Sequence, residues 1–305
     1  QRSSNYFNWI NSPSTNMIIG IFHQGSGLGN QLARYVATRV RAADLGVDWA
    51  MMYNPDGSGK DSGFKGKSFM DIGQWDKGLR KKVEKFEINQ DAYLGHPKDT
   101  SQYLPSEPQG EIGNWIERCV RDEFGNDIRS YDPEFNFIED NTIIEGEFQD
   151  ERYWEHREKE VNEWLKVEPL DIPDDVCVLA FRGGEFALYP DLFLTKEYWQ
   201  HAIRYLLATT HISFKFEVHT DDEVLAKEFF EFIPNVKIVH DIGLNWRSLR
   251  YAKYAITSNS SFAILPRWLR QGEGNAITVS PRYWGRHNTK VWSLPQNYYS
   301  RFLYL

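Results

Sequence analysis

The stretch VCVLAFRGGEFALYPDLFLTKEYWQHAIRYLLA, residues 176–208, decides the fold. Its first six residues are apolar, which is typical of a short strand buried on both faces. Arg182, two glycines and Glu185 then interrupt the apolar run, and from Thr195 apolar residues recur at helical spacing. The stretch therefore predicts a buried strand, a loop that carries a guanidinium, and an amphipathic helix.

The same alternation of strand and helix continues to residue 280. Helical patterns separate four further predicted strands, which are FKFEVH (214–219), VKIVHD (236–241), YAITSNS (254–260) and AITVS (276–280). Alternation at this spacing is typical of an α/β fold, in which a parallel sheet carries helices on both faces. Ligands of such sheets bind beyond the carboxyl ends of the strands.

The first half of the chain shows a less regular version of this pattern. MIIGIFH (17–23) predicts a buried strand, QGSGLGNQ (24–31) a glycine loop, and LARYVATRVRAADLG (32–46) a helix. We also predict a long mobile loop from Tyr53 to Ser68. Amphipathic or charged patterns predict helices over 114–124 and 151–166.

The length of 305 residues favours two domains. We predict an N-terminal lobe over 17–166 and a C-terminal lobe over 176–305, joined by the Pro- and Asp-rich linker 167–175. Residues 1–16 are interpreted as a leader, an expression remnant or the end of a removed stalk.

Composition limits the classes of partner. The formal net charge of −8 disfavours a nucleic-acid or anionic-membrane surface, although a local basic pocket is compatible with it. The two cysteines, Cys119 and Cys177, form no metal or redox motif. No apolar run has the length of a membrane span, so we expect no stable membrane insertion. A cytoplasmic location is expected, with the Golgi lumen as the alternative if an N-terminal anchor was removed.

Polar residues follow every predicted strand of the C-terminal half. Because the carboxyl ends of parallel strands meet at one edge, these residues are expected to lie together. The edge would then contain Arg182, Gly183, Gly184, Glu185, His219, Thr220, Asp221, Asp222, His240, Asp241, Thr257, Ser258, Asn259, Ser260 and Ser261.

Two of these segments indicate a phosphate-bearing ligand. The run from Asn259 to Ser261 precedes a helix, whose N-terminus favours phosphate, although a plain N-cap is the alternative. Arg182 carries a planar fork that suits a diphosphate, and Gly183 and Gly184 would let the backbone approach it. The alternative for Arg182 is a structural ion pair.

Other polar residues are less specific. Asp221 and Asp222 could bind a metal, but a cap of the following helix is the commoner role. His23, His219 and His240 could act as acids or bases, whereas a histidine near a strand end is usually structural. No D-x-D triplet occurs in the chain, which argues against a metal-dependent sugar-nucleotide site.

Five segments in the right order resemble the α-1,2-fucosyltransferase family, which is glycosyltransferase family 11. They are GSGLGNQLARYVATRVRAADLG, EGEFQDERYWEHREKEVNEWLKV, LAFRGGEFALYPDLFLTKEYWQHAI, FEVHTDDEVLAKEFF, and YAITSNSSFAILPRWL followed by SPRYW. The resemblance covers nearly all of the chain from Met17 to Trp284.

The resemblance implies two Rossmann-like lobes of the GT-B type with a cleft between them. It implies an inverting, metal-independent transfer of fucose from GDP-fucose to a glycan hydroxyl, with no cofactor beyond the donor. The C-terminal lobe would bind the donor and the N-terminal lobe the acceptor. The expected catalytic residues are Arg182, which matches the first arginine of the family's H-x-R-R-G-D motif, and Glu185. His23 and Asp241 are the alternatives to Glu185 as the base that removes the acceptor proton. Arg182, Asn259, Ser260 and Ser261 match the donor-binding motifs of the family. Gly183, Gly184, His219 and Asp222 are further expected donor-binding residues because of their place at the strand ends. Gly27, Gly29, Asn30 and Gln31 match the family's glycine loop, which faces the cleft.

The chain departs from the family at several motif positions. Ala180 stands where the family has histidine, Gly183 where it has a second arginine, and Glu185 where it has aspartate. These changes leave open a different nucleotide-sugar donor or a non-catalytic carbohydrate-binding relative. A dinucleotide dehydrogenase is a weaker alternative, because only the glycine loop favours it. Arg247, Arg250 or Arg282 would be replacements for the missing arginine.

Overall fold

The computed structural model describes residues 17–22, 25–53, 64–72, 113–121, 127–284 and 298–305. The chain divides into two compact units, one of residues 1–65, 72–120 and 129–164 and a second of residues 66–71, 121–128 and 165–305. Each unit is built on a parallel sheet, so the predicted α/β class is confirmed. The lobe boundaries and the cleft stay predictions.

The first half of the chain contains strands β1 (Met17–Phe22), β2 (Asp48–Tyr53), β3 (Gly113–Ile116), β4 (Cys119–Arg121), β5 (Asp127–Arg129) and β6 (Thr142–Glu145), and helices α1 (Leu28–Leu45) and α2 (Glu158–Trp164). Four of the strands form a parallel sheet in the order β2-β1-β6-β3. Every residue of β1 is buried, as expected for a central parallel strand with apolar residues on both faces. Gly46 ends α1 in the left-handed conformation, with φ 68°.

Of two helices predicted in this half, the one over 114–124 is wrong and the one over 151–166 is shorter than predicted. Within 114–124 the described residues form β3 and β4, because β3 pairs with β6 and Trp115 packs against Phe135 and Phe148. Within 151–166 two short 3-10 turns precede α2, because Asp150 caps the first turn and the buried Trp154 leaves helical geometry with φ −136°.

The predicted loop from Tyr53 to Ser68 is described only at its ends. Residues 54–63 and His23 lie outside the described residues. Tyr53 ends β2, and Phe64 is buried against Phe22, with 6.1 Å between ring centroids. Residues 65–69 form a turn.

Gly20 marks a close approach of α1 to β1. A Cβ at this position would lie 2.0 Å from Thr38 Oγ1 and 2.8 Å from Met51 Sδ. We expect Gly20→Ala to lower the free energy of unfolding by about 1–3 kcal/mol, because overpacking forces neighbours to shift. Urea denaturation with Gly27→Ser as the control measures this, since nothing lies within 4 Å of a Cβ at Gly27. An unchanged midpoint for Gly20→Ala would contradict the close approach.

The second half contains strands β7 (Val176–Phe181), β8 (Lys215–Thr220), β9 (Lys237–Val239), β10 (Tyr254–Thr257), β11 (Ile277–Ser280) and β12 (Leu303–Tyr304), and helices α3 (Lys196–Thr210), α4 (Glu223–Phe229), α5 (Ile242–Tyr251) and α6 (Ile264–Gly272). The strands form a parallel sheet in the order β12-β11-β10-β7-β8-β9. The strand and helix alternation predicted from residue 176 onward is therefore confirmed.

Alternate residues of β7 build the core on both faces of this sheet. Cys177, Leu179 and Phe181 join one apolar cluster with residues of α3 and α4. Val178 and Ala180 join a second cluster with residues of α5. Since both faces are covered, the residues at the carboxyl ends of the strands remain as the polar edge. No helix in the described ranges combines the length and the apolar content needed to cross a bilayer.

Candidate functional site

The loop after β7 and the segment after β10 lie at the same edge of the C-terminal sheet. Strands β7 and β10 are neighbours, with Ala180 opposite Thr257 in the register. The N–H of Ser258 also donates to the carbonyl oxygen of Ala180, at 3.0 Å. The structure thus places Arg182 and the Asn259–Ser261 segment on adjacent strand ends, as the sequence predicts.

Arg182 has a carboxylate partner. Its Nη1 donates to Oδ2 of Asp221, and the backbone N–H of Gly183 donates to Oδ1 of the same carboxylate at 2.8 Å. The guanidinium carbon lies 5.2 Å from the ring centroid of Phe186. Both charged side chains are partly exposed, at 34% for Arg182 and 30% for Asp221. The ion pair that was the alternative role for Arg182 is therefore present, and a diphosphate role for Arg182 stays a prediction.

The two glycines of this loop lie close to neighbouring side chains. A Cβ on Gly184, which has φ +42°, would lie 2.7 Å from Oδ2 of Asp221. A Cβ on Gly183 would lie 3.1 Å from Cβ of Asp222 and 3.2 Å from Leu225. A larger side chain at either position would disturb the loop. This crowding explains why glycine occupies both positions.

Asn259 is buried, with 1% exposure, and its orientation is fixed. Its Nδ2 donates to the carbonyl oxygen of Leu192 at 2.9 Å and to that of Trp284. Because two carbonyl oxygens require the amide nitrogen, Oδ1 must point the other way, where it finds no partner among the described residues. A small cavity of about 30 Å³ adjoins this segment, lined in part by Ser258, Asn259, Ser260 and Ser280.

Ser260 and Ser261 begin the helical segment after β10. Ser260 Oγ accepts a hydrogen bond from the N–H of Phe262 at 3.4 Å and caps a 3-10 turn over 261–263, which leads into α6. The plain N-cap alternative therefore applies to Ser260. A phosphate role for either serine stays a prediction.

Asp222 and His219 have structural partners. Asp222 Oδ1 accepts from the N–H of Leu225 at 3.0 Å and caps α4, as the capping alternative expects. His219 is 4% exposed, and its ring nitrogens face Asn245 Oδ1 at 3.0 Å and Glu217 Oε2 at 3.3 Å. Both side chains thus have hydrogen-bond partners within the protein. Their predicted contacts with the nucleotide-sugar donor stay predictions.

The Glu217 carboxylate predicts a pH-dependent contribution to stability. The hydrogen bond from His219, together with Lys237, lowers the pKa of Glu217 to about 2. A lowered pKa in the folded state stabilises the fold above the unfolded pKa of about 4.3, and this stabilisation is lost as pH falls towards 2.

We therefore expect Glu217→Gln to be less stable than wild type at pH 7, and this difference to shrink as the pH falls from about 4.3 towards 2. Denaturant midpoints at a series of pH values measure it, with the exposed Glu228→Gln as the control. A difference that stays constant with pH would contradict this role of Glu217.

Glu185 lies in the 3-10 turn over 184–188 and is exposed. The other candidate acids and bases of this half are placed differently. Asp241 caps α5 by accepting from the N–H of Leu244 at 2.7 Å, so its carboxylate already has a structural partner. His240 follows β9 and is exposed. The catalytic role of Glu185 stays a prediction.

The predicted cleft loop lies at the carboxyl end of β1. Gly27 is the N-cap of α1, and Gly29 is buried within it. Asn30 Oδ1 accepts from Gln149 Nε2 at 2.7 Å, and Gln31 Oε1 accepts from the N–H of Lys65 at 2.9 Å. Asn30 and Gln31 lie in the first turn of α1, which begins at Leu28 and not at the predicted Leu32, and their amides fix neighbouring segments of their own unit.

Sequence reasoning missed Arg34, which joins this loop to the end of β6. Its guanidinium donates to Ser26 Oγ at 2.7 Å, to the carbonyl oxygen of Gly146 at 2.8 Å and to Glu147 Oε1 at 2.8 Å. The signal was its spacing of four residues from Asn30, which puts both on one side of α1.

Glu117 was missed as well. Its buried carboxylate accepts from the N–H groups of Glu147 at 2.7 Å and Phe148 at 3.2 Å, and from Tyr153 Oη at 2.8 Å. Burial and this carboxylate raise the pKa of Tyr153. A Cβ on Gly146 would lie 2.6 Å from Cβ of Glu117, so the glycine of the GEFQ segment is needed there. No sequence pattern indicated this pairing.

Among the residues that the structure describes, no three His, Cys, Asp or Glu side chains are grouped so that they could hold a metal ion. Cys177 is a free, buried thiol whose pKa burial raises. Neither feature tests the expected metal independence, which stays a prediction.

The sequence matches no protein-family model and no curated protein. Solved structures do match. The fucosyltransferase NodZ from Bradyrhizobium is similar with a TM-score of 0.50 and 14% identity, over 84% of this chain and 94% of that chain. E. coli heptosyltransferase WaaC with ADP gives a TM-score of 0.45 and 11% identity, over 94% of this chain and 92% of that one.

A third match is the NodZ α-1,6-fucosyltransferase co-crystallized with GDP, with a TM-score of 0.41 and 14% identity over 84% of this chain and 93% of that chain. The matches with TM-scores below 0.5 are too loose to argue from. At 14% identity the first NodZ structure bears on the fold alone. The chain therefore has an α/β fold of the GT-B type, with two Rossmann-like lobes.

Proposed function

We propose that the protein is a glycosyltransferase that binds a nucleotide sugar at the carboxyl edge of the C-terminal sheet. One observation carries this proposal: the loop after β7 already holds a carboxylate between Arg182 and the N–H of Gly183. A guanidinium and a backbone N–H at a strand end are donors that a diphosphate can use. The GT-B fold makes a nucleotide-sugar ligand the natural candidate, as an analogy.

The proposed donor is GDP-fucose, and the proposed acceptor is a hydroxyl of a glycan. The five-segment sequence resemblance supports this choice, and the fucosyltransferase NodZ shares the fold. Inversion without a metal ion, and an α-1,2 linkage, belong to the same proposal and rest on the resemblance alone.

In the proposed mechanism, Arg182 stabilises the charge that grows on the departing GDP as the bond to the sugar breaks. Interactions that strengthen in the transition state accelerate the reaction, and a fixed guanidinium is such a group. Glu185 is the proposed acceptor of the hydroxyl proton, because it follows the same strand and is exposed. The N-terminal unit would bind the glycan near its glycine loop.

Arg282 is the proposed second cation. The family has a second arginine where this chain has Gly183, whose surroundings leave little room for a side chain. Arg247 holds the carbonyl oxygens of residues 168 and 169, and Arg250 pairs with Glu273. Arg282 instead follows β11 at the same edge and is exposed.

The lack of an arginine at Gly183 also supports a second candidate, a relative that uses another nucleotide sugar or binds carbohydrate without catalysis. A panel of nucleotide sugars separates the two. Incubation with GDP-fucose, and separately with UDP- and ADP-sugars, is followed by measurement of the released nucleoside diphosphate, with and without mixed glycans. Release of GDP from GDP-fucose above the Arg182→Ala background supports the proposal, and release from another donor alone supports the second candidate. No release from any donor would contradict catalysis.

A further inference from the structure

Asp221 occupies the anion-binding groups of the loop after β7. One carboxylate oxygen accepts from Gly183 N–H at 2.8 Å, and the other accepts from Arg182 Nη1. In a simple surface ion pair, the carboxylate contacts only the guanidinium. Here a backbone donor and a side-chain donor converge on the two oxygens of one carboxylate, which is how a protein binds an anionic ligand.

The backbone around Asp221 is shaped to this carboxylate. Gly184 adopts φ +42°, and a Cβ there would lie 2.7 Å from Oδ2 of Asp221. The loop therefore leaves space for an anion against its backbone, and the carboxylate of Asp221 fills that space.

The side chain of Asp221 can rotate away from its partners without disturbing a helix, whereas that of Asp222 cannot. Asp222 caps α4 through Leu225 N–H, so its side chain is part of a helix. Asp221 precedes that helix in a bend, and its side chain is 30% exposed. A rotation of its side chain would release Arg182 and Gly183 N–H without breaking a helix.

We infer that Asp221 is an internal counter-ligand that competes with the phosphate of the nucleotide for Arg182 and Gly183 N–H. This inference rests on the proposed function and names the residue that regulates affinity at the same site. A second anion competes with Asp221 here, because like charges at contact distance repel each other and Asp221 already accepts from the single N–H of Gly183. Asp221 therefore turns away when a diphosphate binds, and it discriminates against weak anions that cannot displace it.

The test measures binding of GDP and of inorganic pyrophosphate by titration calorimetry. Wild type is compared with Asp221→Asn, which keeps an acceptor for Gly183 N–H and removes the charge. The matched control is Glu223→Gln, which removes one negative charge two residues away, from an exposed side chain paired with Lys227. We expect Asp221→Asn to bind GDP about tenfold more tightly than wild type, and Glu223→Gln to change affinity less than about twofold.

The outcomes separate this inference from the proposed function. If wild type binds GDP and Asp221→Asn binds it equally or more weakly, Asp221 positions Arg182 instead, and the inference is overturned while the proposed function stands. If wild type binds no GDP but Asp221→Asn binds pyrophosphate, the counter-ligand is supported and the nucleotide site is not. If neither protein binds either probe, both are overturned. If Glu223→Gln gains as much GDP affinity as Asp221→Asn, the gain comes from the change in net charge alone, and the inference is overturned.

Discussion

Arg267→Met is expected to destabilise the C-terminal unit by about 3 kcal/mol or more, because each buried acceptor left without a donor costs about 1–3 kcal/mol. Arg267 has 0% exposure. Its Nη1 donates to the carbonyl oxygens of Leu249 at 2.9 Å and Ala252 at 2.6 Å, and its Nε donates to Thr278 Oγ1 at 2.9 Å. The guanidinium thus supplies hydrogen bonds to carbonyl oxygens at the end of α5 and connects this helix to β11.

Chemical denaturation of Arg267→Met measures this effect, and Arg270→Met is the matched control on the same helix. Arg270 Nη1 donates to the carbonyl oxygen of Gly274 at 2.9 Å, near solvent, and lies 3.7 Å from Glu273 Oε2. We expect its replacement to cost less than about 1 kcal/mol. Arg267→Lys should cause an intermediate loss of stability, because an ammonium cannot reach all the acceptors that the planar guanidinium of Arg267 contacts. Equal effects at 267 and 270 would contradict this role.

Arg182→Ala is expected to weaken GDP binding by roughly 10- to 100-fold while the melting temperature stays nearly unchanged. A hydrogen bond to a charged group contributes about 1.5–3 kcal/mol, which corresponds to that range. Stability should change little, because the pair with Asp221 is about one-third exposed and such pairs contribute about 0–1 kcal/mol.

Calorimetric titration and thermal melts on the same samples measure both quantities. Exposed Arg204 is the control, and Arg204→Ala should leave both unchanged. Arg182→Lys should recover part of the affinity, since it restores the charge without the fork. A parallel loss of affinity and melting temperature in Arg182→Ala would assign Arg182 to the fold.

The centre of the C-terminal sheet was predictable, because β7 and β10 are buried along their whole length and β7 appears as a continuous apolar run. Asp222 also indicated the start of α4, because a cap of the following helix was the commoner role for this residue. The segment 114–124 was not predictable, since its short apolar spacing suits a helix or a strand. Pairing of β3 with β6, nearly thirty residues away, decides it.

For the candidate site, the sequence placed Arg182 and Asn259 at one edge, which the register of β7 and β10 confirms. Their partners could not be predicted. Asp221 meets Arg182 from the end of another strand, and the buried amide of Asn259 binds carbonyl oxygens of Leu192 and Trp284. Such contacts depend on loop conformation, which local sequence does not encode.

The most direct test of the nucleotide-sugar site is calorimetric titration of the wild-type protein with GDP, with UDP and NAD as controls. We expect saturable binding of one GDP per chain, with UDP and NAD much weaker. Absence of GDP binding in a folded sample, or equal binding of all three ligands, would contradict a GDP-sugar site at Arg182.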